Sequence, residues 1–324
     1  MKKLTESAIK ILAKNSITEQ GKLLSEAPLD ASDVESGFEF LGDVIERYYQ
    51  DSISYYICDI EPMPGPAGRT FISDKTPEGA RKFYNVDLST ELRELKTRST
   101  KEHFMDLMSQ YGKDANEVLS TMISQDAVEE IDSIILTQMK TMATKHNDLV
   151  LKANSGKSMR DVFGDIETNI ALIGAEMAKT LKRGIYANVI VGSKVAAALA
   201  VSFALKQPQK EISDEGLRDY IADLWGMYPI FIDSNSVLGS DNAVLITHTG
   251  NKFGDSPLVI GHYSTTVNYV DDYSVEETAV NIRDRRAIIQ NPIDTEKFSS
   301  TGVDDSQFCH YFEVDFSNLS NLLF

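Results

Sequence analysis

An α+β fold is what this chain of 324 residues predicts, and three stretches predict it. Over residues 114–145 the apolar side chains Val118, Leu119, Met122, Ile123, Ala127, Ile131, Ile134, Ile135, Met139 and Met142 recur at helical spacing. At 3.6 residues per turn that is about eight turns. Over residues 165–261 helical and strand patterns alternate, as they do in a compact α/β lobe. Beyond that lobe the pattern is mostly β, with strands expected over 265–270, 278–289 and 308–316. The long helix has no heptads, so it needs support along its whole length and reads as a central spine. Glu129, Glu130, Asp132 and Lys140 lie between its apolar residues and make a polar face. Asp126 and Glu129 could cap a second start, with a kink near Ser124.

Taken in order, residues 4–24 form an amphipathic segment with Ile9, Leu12 and Ala13 close to one face. Residues 27–36 are polar and acidic, contain Pro28, and read as an extended arm. Residues 38–56 carry Phe38, Phe40, Tyr48, Tyr49, Tyr55 and Tyr56, a stretch that must pack on its own core or on a neighbour. Then Pro62, Pro64 and Pro66 with Gly65 and Gly68 rule out helix or central strand and predict a stiff, fixed turn. Residues 71–95 mix Phe83, Tyr84, Val86 and Leu88 with a turn at Pro77 and Gly79, which predicts a protruding hairpin. After a loop at 154–158, Ile166, Ile170, Ile173, Met177 and Leu181 mark a helix over 165–183, stopped by Gly184. A strand over 186–191 follows, then an alanine-rich helix from Ser193. A further helix from Ser213 would carry Leu217, Ile221, Leu224 and Trp225. Strands are expected at 228–232, 243–247 and 258–260.

Composition excludes several classes of function. The formal charge is −17, from 49 acids against 32 bases. Phosphate backbones repel such a chain, so it does not read nucleic-acid sequence. Hydrophobic residues make up 42%, enough for a real core, and no apolar run reaches the ~18 residues that a membrane span needs. Lys10 and Lys14 interrupt any signal-like core after Met1. Cys58 and Cys309 are two distant cysteines, no disulfide framework, and fit a reducing compartment.

No catalytic or metal-binding constellation stands out. Gly156, Lys157 and Ser158 look like the end of a phosphate-binding loop, but Leu151 stands where that loop needs its first glycine. His103, His146, His248, His262 and His310 lack the three- or four-residue spacing of metal ligands. The pairs Asp271–Asp272 and Asp304–Asp305 read as solvated turns rather than calcium loops. Arg283, Arg285 and Arg286 form one basic cluster, either plain surface or a source of inter-subunit ion pairs. No catalytic residue, cofactor or metal is expected, which points toward a structural protein rather than an enzyme.

Three motifs in order carry a resemblance. Residues 60–71, with Glu61, Pro62, Met63, Pro66, Gly68 and Phe71, resemble the Q-P-M-x-x-P-T-G-x-x-F stretch of the major capsid protein family of T-even-like tailed bacteriophages. Glu61 stands for the glutamine and Ala67 for the threonine. Asp106 and Leu107, then Gly112, Asp114, Ala115 and Glu117, are similar to that family's D-L-x-x-x-x-G-x-D-A-E-x-E lead into its long helix, and residues 124–131 to its continuation. Residues 188–199 resemble its strand leading into an alanine-rich helix, and 311–314 are a weaker echo. The chain departs from the family in lacking its inserted decoration domain.

The resemblance implies the HK97-like capsid fold: an N-terminal arm, an extended loop near 70–97, a spine helix, a peripheral β domain and an axial α/β domain. The expected division is 1–56 for the N-terminal segment and arm, and 57–164 for loop, spine and the first part of the peripheral domain. The axial domain takes 165–261, and 262–324 returns to the peripheral domain. The implied function is a major capsid subunit, self-assembling through hexamers into an icosahedral head that encloses double-stranded DNA without reading it. Its implied partners are further copies of itself, with vertex, portal, scaffold and decoration proteins, and no membrane. Its implied place is the virion, assembled in the host bacterial cytoplasm. An encapsulin-like cage shares the implied fold, and a soluble α/β enzyme is the competitor from another class. Three residue-level expectations follow. Phe71, Phe83 and Tyr84 should be partly exposed on a hairpin with few contacts to its own subunit. Gly65 and Gly68 should be fixed turn positions, strained on substitution if φ is positive. Leu24 and Glu26, followed by Ala27, match the family's maturation-cleavage pattern.

Overall fold

The computed structural model describes residues 6–26, 51–75, 81–100, 106, 109, 115–152, 157–184, 186–202, 205–206, 219–250, 252–272, 277–294 and 306–319. The acidic arm expected at 27–36 and most of the aromatic stretch at 38–56 lie outside them.

The spine is one continuous helix, α3 (Ala115–Met142), with no break between its halves at Ser124. Its 28 residues span about 42 Å. Ile123, Ala127, Ile131, Ile135 and Met139 form the buried stripe, joined by Val128 and Leu136. Met122 lies on the outside, 55% exposed.

Two sheets meet this helix. The smaller has the order β1–β12–β13–β4, from β1 (Asp59–Pro62), β4 (Glu91–Thr100), β12 (Leu258–Asp272) and β13 (Glu277–Gln290). β1 runs parallel to β12, and the other pairs are antiparallel. A bulge between His262 and Ser264 shifts the β12 register. The larger sheet runs β5 (Ala143–Lys145), β14 (Ser306–Asp315), β11 (Ala243–His248), β7 (Ala187–Val191), β10 (Tyr228–Ile232), β9 (Tyr220–Leu224), β8 (Leu205–Lys206), with β6 (Leu149–Val150) also on β14.

The larger sheet is buried on both faces, and side-chain alternation divides it between two helical layers. Val189, Val191, Val244, Ile246, Phe312 and Val314 face α4 (Met159–Leu181) and α5 (Ser193–Ser202). Ile190, Leu245, Cys309 and Tyr311, one residue out of step, join the spine's cluster. Ser158 and Asp161 start α4 with a reciprocal capping box, six residues before the expected start at 165.

Three expectations are corrected here. The helix expected from Ser213 is, from Tyr220 on, the strand β9; residues 207–218 lie outside the described set. Ile221, Leu224 and Trp225 mimic helical spacing, but φ is positive at both Trp225 (53°) and Gly226 (74°). That is the backbone of a tight hairpin turn, and it folds β9 back on β10. The boundary expected between 261 and 262 falls inside β12, one unbroken strand. β14 lies in the larger sheet between β5 and β11, rather than with the smaller one.

Candidate assembly surfaces

The hairpin β2 (Ala67–Lys75) and β3 (Arg81–Ser89) forms its own two-stranded sheet. Its burial alternates cleanly. Ile72, Tyr84, Val86 and Leu88 pack with Met63, Val259, Ala287 and Phe308 in a third core cluster. Asp74 ties the hairpin to Arg183 at 3.4 Å, and Arg183 also pairs with Asp255. The expectation of few contacts to its own subunit is therefore corrected: one face is firmly seated, and Tyr84 is only 6% exposed. The segment expected as loop beyond residue 90 is β4, a strand of the smaller sheet.

The outer face is different. Phe71 pairs with Asn85 and Phe83 with Ser73, so the two phenylalanines are diagonal neighbours on one side. They are 59% and 65% exposed. Arg69 and Asp87 flank them with an ion pair at 2.5 Å. Two large aromatic rings thus lie side by side in water on one face of the ribbon.

The turn at Pro62, Gly65, Pro66 and Gly68 is fixed by Thr90, whose backbone N–H and hydroxyl both donate to the Pro66 carbonyl at 2.9 Å. Neither Gly65 nor Gly68 has a positive φ, so the strain expected there is absent. The fold does require a glycine at Gly254: φ is +88°, and an added Cβ would lie 2.3 Å from Ile72. Gly254 and Ser256 donate their N–H groups to the buried carboxylate of Asp59 at 2.8 and 3.1 Å.

The basic cluster is engaged within the chain. Arg283 pairs with Glu94 at 2.7 Å, Arg285 with Glu19 at 3.9 Å, and Arg286 with Asp284. Arg286 is 2% exposed and lies over the Tyr55 ring. Around it runs a buried polar chain. Tyr55 OH meets His262 Nδ1 at 3.0 Å, His262 Nε2 meets Thr265 Oγ1 at 3.0 Å, and Thr265 donates to Asp284 at 2.8 Å. Burial and the Arg286 charge hold the His262 imidazole below its ordinary pKa. Burial pushes Asp284 up, but the Arg286 charge and the bond to His262 outweigh it and leave the carboxyl below its usual range. These groups resemble a catalytic relay, yet none is open to a substrate. They pin the short helix α2 (Ile53–Ile57) to the bulge of β12.

Sequence reading placed Asp132 on the spine's polar face, but it is buried. It accepts from Ser52 Oγ (2.7 Å), Ile53 N (3.1 Å) and Ser54 N (2.9 Å), and so caps α2. Burial raises its pKa, and the hydrogen bonds from Ser52, Ser54 and Ile53 oppose that. His146 and His310, far apart in sequence, stack with Nε2 and Nδ1 2.6 Å apart where β5 meets β14. Burial, then the neighbouring His146, lowers His310 to about 4.

Leu24, Ser25 and Glu26 end the helix α1 (Glu6–Glu26); Ala27 lies outside the described residues. A protease acting after Glu26 meets a helix end rather than the extended segment expected. Among the described residues no group of His, Cys, Asp and Glu could hold a metal ion, and no helix is long and apolar enough to cross a membrane.

The chain thus combines a spine between two sheets, a seated hairpin with an aromatic outer face and a polar network buried away from solvent. The family model described as major capsid protein Gp23 matches residues 83–314, more than two thirds of the sequence. The chain belongs to this family, its fold is α+β, and its work is that of a structural subunit of a virion capsid. Among solved structures it is similar to a virus-like particle from Pyrococcus furiosus, at 14% identity and TM-score 0.49, covering 86% of this chain and 100% of that one. It is also similar to Mycobacterium phage Adephagia, at 11% identity and TM-score 0.49, covering 82% and 90%. For the mature capsid of bacteriophage PhiM1 the values are 9% and 0.46, covering 82% and 87%. No curated protein matches the sequence.

Proposed function

We propose that this subunit builds the icosahedral head of a T-even-like tailed phage. Copies form hexamers around the lobe of the larger sheet, with 165–261 as its main part, and the hairpin's outer face covers a neighbouring copy. The observation that carries the reading is the family match over residues 83–314. The shell encloses double-stranded DNA without reading it, and the charge of −17 fits a wall that does not hold its cargo. Vertex, portal, scaffold and decoration proteins complete the head, which assembles in the bacterial host's cytoplasm. Arg285, 40% exposed and loosely tied at 3.9 Å, is the member of the arginine cluster best placed to pair with another subunit.

Electron microscopy of the purified protein tests this. Closed shells or hexameric rings are expected, and a protein that stays monomeric at high concentration ends the reading. DNA and a tail vertex in particles from infected cells separate a phage head from a cage of the encapsulin kind. We also propose maturation by cutting after Glu26, and intact-mass analysis of DNA-filled particles decides it. A mass for residues 27–324 is expected, and one for 1–324 excludes the cut.

A further inference from the structure

The helix α1 sits on the smaller sheet in a socket with its own polar code. Asn15 Nδ2 donates to the Met63 carbonyl (2.7 Å) and to the Tyr263 carbonyl (3.1 Å). The Thr265 N–H donates to Ser16 Oγ at 3.1 Å. Tyr263 OH donates to Glu19 at 3.1 Å, and Arg285 lies beyond it. Leu12 is fully buried beside them. The socket's unusual feature is that most of its polar groups are backbone. The bulge between His262 and Ser264 breaks the β12 ladder, and β1 ends nearby, so carbonyls and an N–H are left facing outward. They require an occupant with an acceptor and a donor on adjacent residues of one helical face, which Ser16 and Asn15 supply.

We propose that this socket is a helix-docking site that takes the N-terminal helix of a second copy of the chain as well as its own, so that α1 is exchangeable between subunits. Each contact joins α1 to residues at least 48 positions away, and none depends on the chain leading out of the helix. The stretch joining α1 to α2 is residues 27–52. A peptide of that length reaches up to about 85 Å when extended, several subunit radii. Between copies held side by side, the same helix meets its own socket and a neighbour's at comparable effective concentration. The outward face of α1 carries Lys10 and Lys14, flanked by the exposed Ile11 and Ile17. The docked helix therefore does not bury its whole surface in its own chain.

The exchange rests on the shell reading above, whereas the docking does not, and two measurements keep them apart. A fluorescent peptide of residues 1–26 is titrated onto unassembled full-length protein, wild type and Asn15→Ala/Ser16→Ala. The variant, whose own helix competes poorly, should bind the peptide at least about tenfold more tightly. A peptide carrying the same two substitutions should bind neither protein. Equal binding by both proteins, or none, overturns the socket. Next, particles are assembled from purified, uncut chains, an equal mixture of light and ¹⁵N-labelled, bearing a photo-reactive residue in place of Ala13. Cross-links between α1 and β12 that join light to heavy peptides are expected, about a quarter of the total when own and neighbouring sockets compete equally and about half when every helix swaps. Same-isotope pairs alone, or no cross-link to β12, overturn exchange. Absence of particles in the micrographs counts against the capsid reading instead, and leaves the peptide titration to judge the socket.

Discussion

Asp132 gathers three donors from a segment some 80 residues away, so removing its carboxylate strands all three in the core. Asp132→Ala is expected to cost about 3 kcal/mol, read by urea unfolding of the unassembled subunit, and Asp132→Asn distinctly less. No loss in the alanine variant would show that α2 needs no cap. Gly254→Ala should cost on the order of 2 kcal/mol, because the left-handed backbone and Ile72 both resist a Cβ. Gly65→Ala should be close to neutral, since its φ is not positive and the space around it is open. His310 brings a pH dependence. Its folded pKa of about 4 lies below the ordinary 6.5, so the unfolded chain takes up the proton first. The neutral ring's contribution is whole above about pH 6.5, shrinks as pH falls and is gone by about 4, a span on the order of 3 kcal/mol. His310→Gln should flatten the decline in unfolding free energy between those values, and an unchanged slope rejects this role. Residues such as these were hard to read in sequence for one reason. A buried carboxylate on a helix and a pair of stacked imidazoles look like surface until their distant partners are known. Gly65, between two prolines, is unstrained, while Gly254, in an ordinary loop, is under real constraint.

At the scale of elements, periodicity was reliable where one face decides. The spine's stripe from Ile123 to Met139 and the alternation of Tyr84, Val86 and Leu88 are both legible, because burial on one side imposes a period. It failed at β9, where a strand feeding a three-residue turn happens to space Ile221, Leu224 and Trp225 like a helix. The hairpin's alternation gives it an inner face in its own core and an outer one that leaves two aromatic rings in water. Phe71→Ser/Phe83→Ser should shift the unfolding free energy of the lone subunit by less than about 0.5 kcal/mol per site, as surface changes do. The same variant should sharply lower particle yield in sedimentation. Normal yield would mean that the aromatic face is not an assembly contact.

For the whole molecule, the fold class was readable in the sequence. The resemblance supplied the order of arm, hairpin, spine and lobe, and the structure has hairpin, spine and lobe in that order. The boundaries went astray because strand pairing is non-local: β12 runs through one expected boundary, and β14 leaves the late strands to join the lobe. That placement has a consequence for the timing of folding. β14 comes after almost everything else in the chain, yet it sits between β5 and β11 and carries Phe312 and Val314 into one core and Cys309 and Tyr311 into the other. While the ribosome is still making the chain, β11 presents an unpaired hydrophobic edge, and the spine lacks part of its floor. A nascent subunit therefore stays unfinished until residues 306–315 arrive.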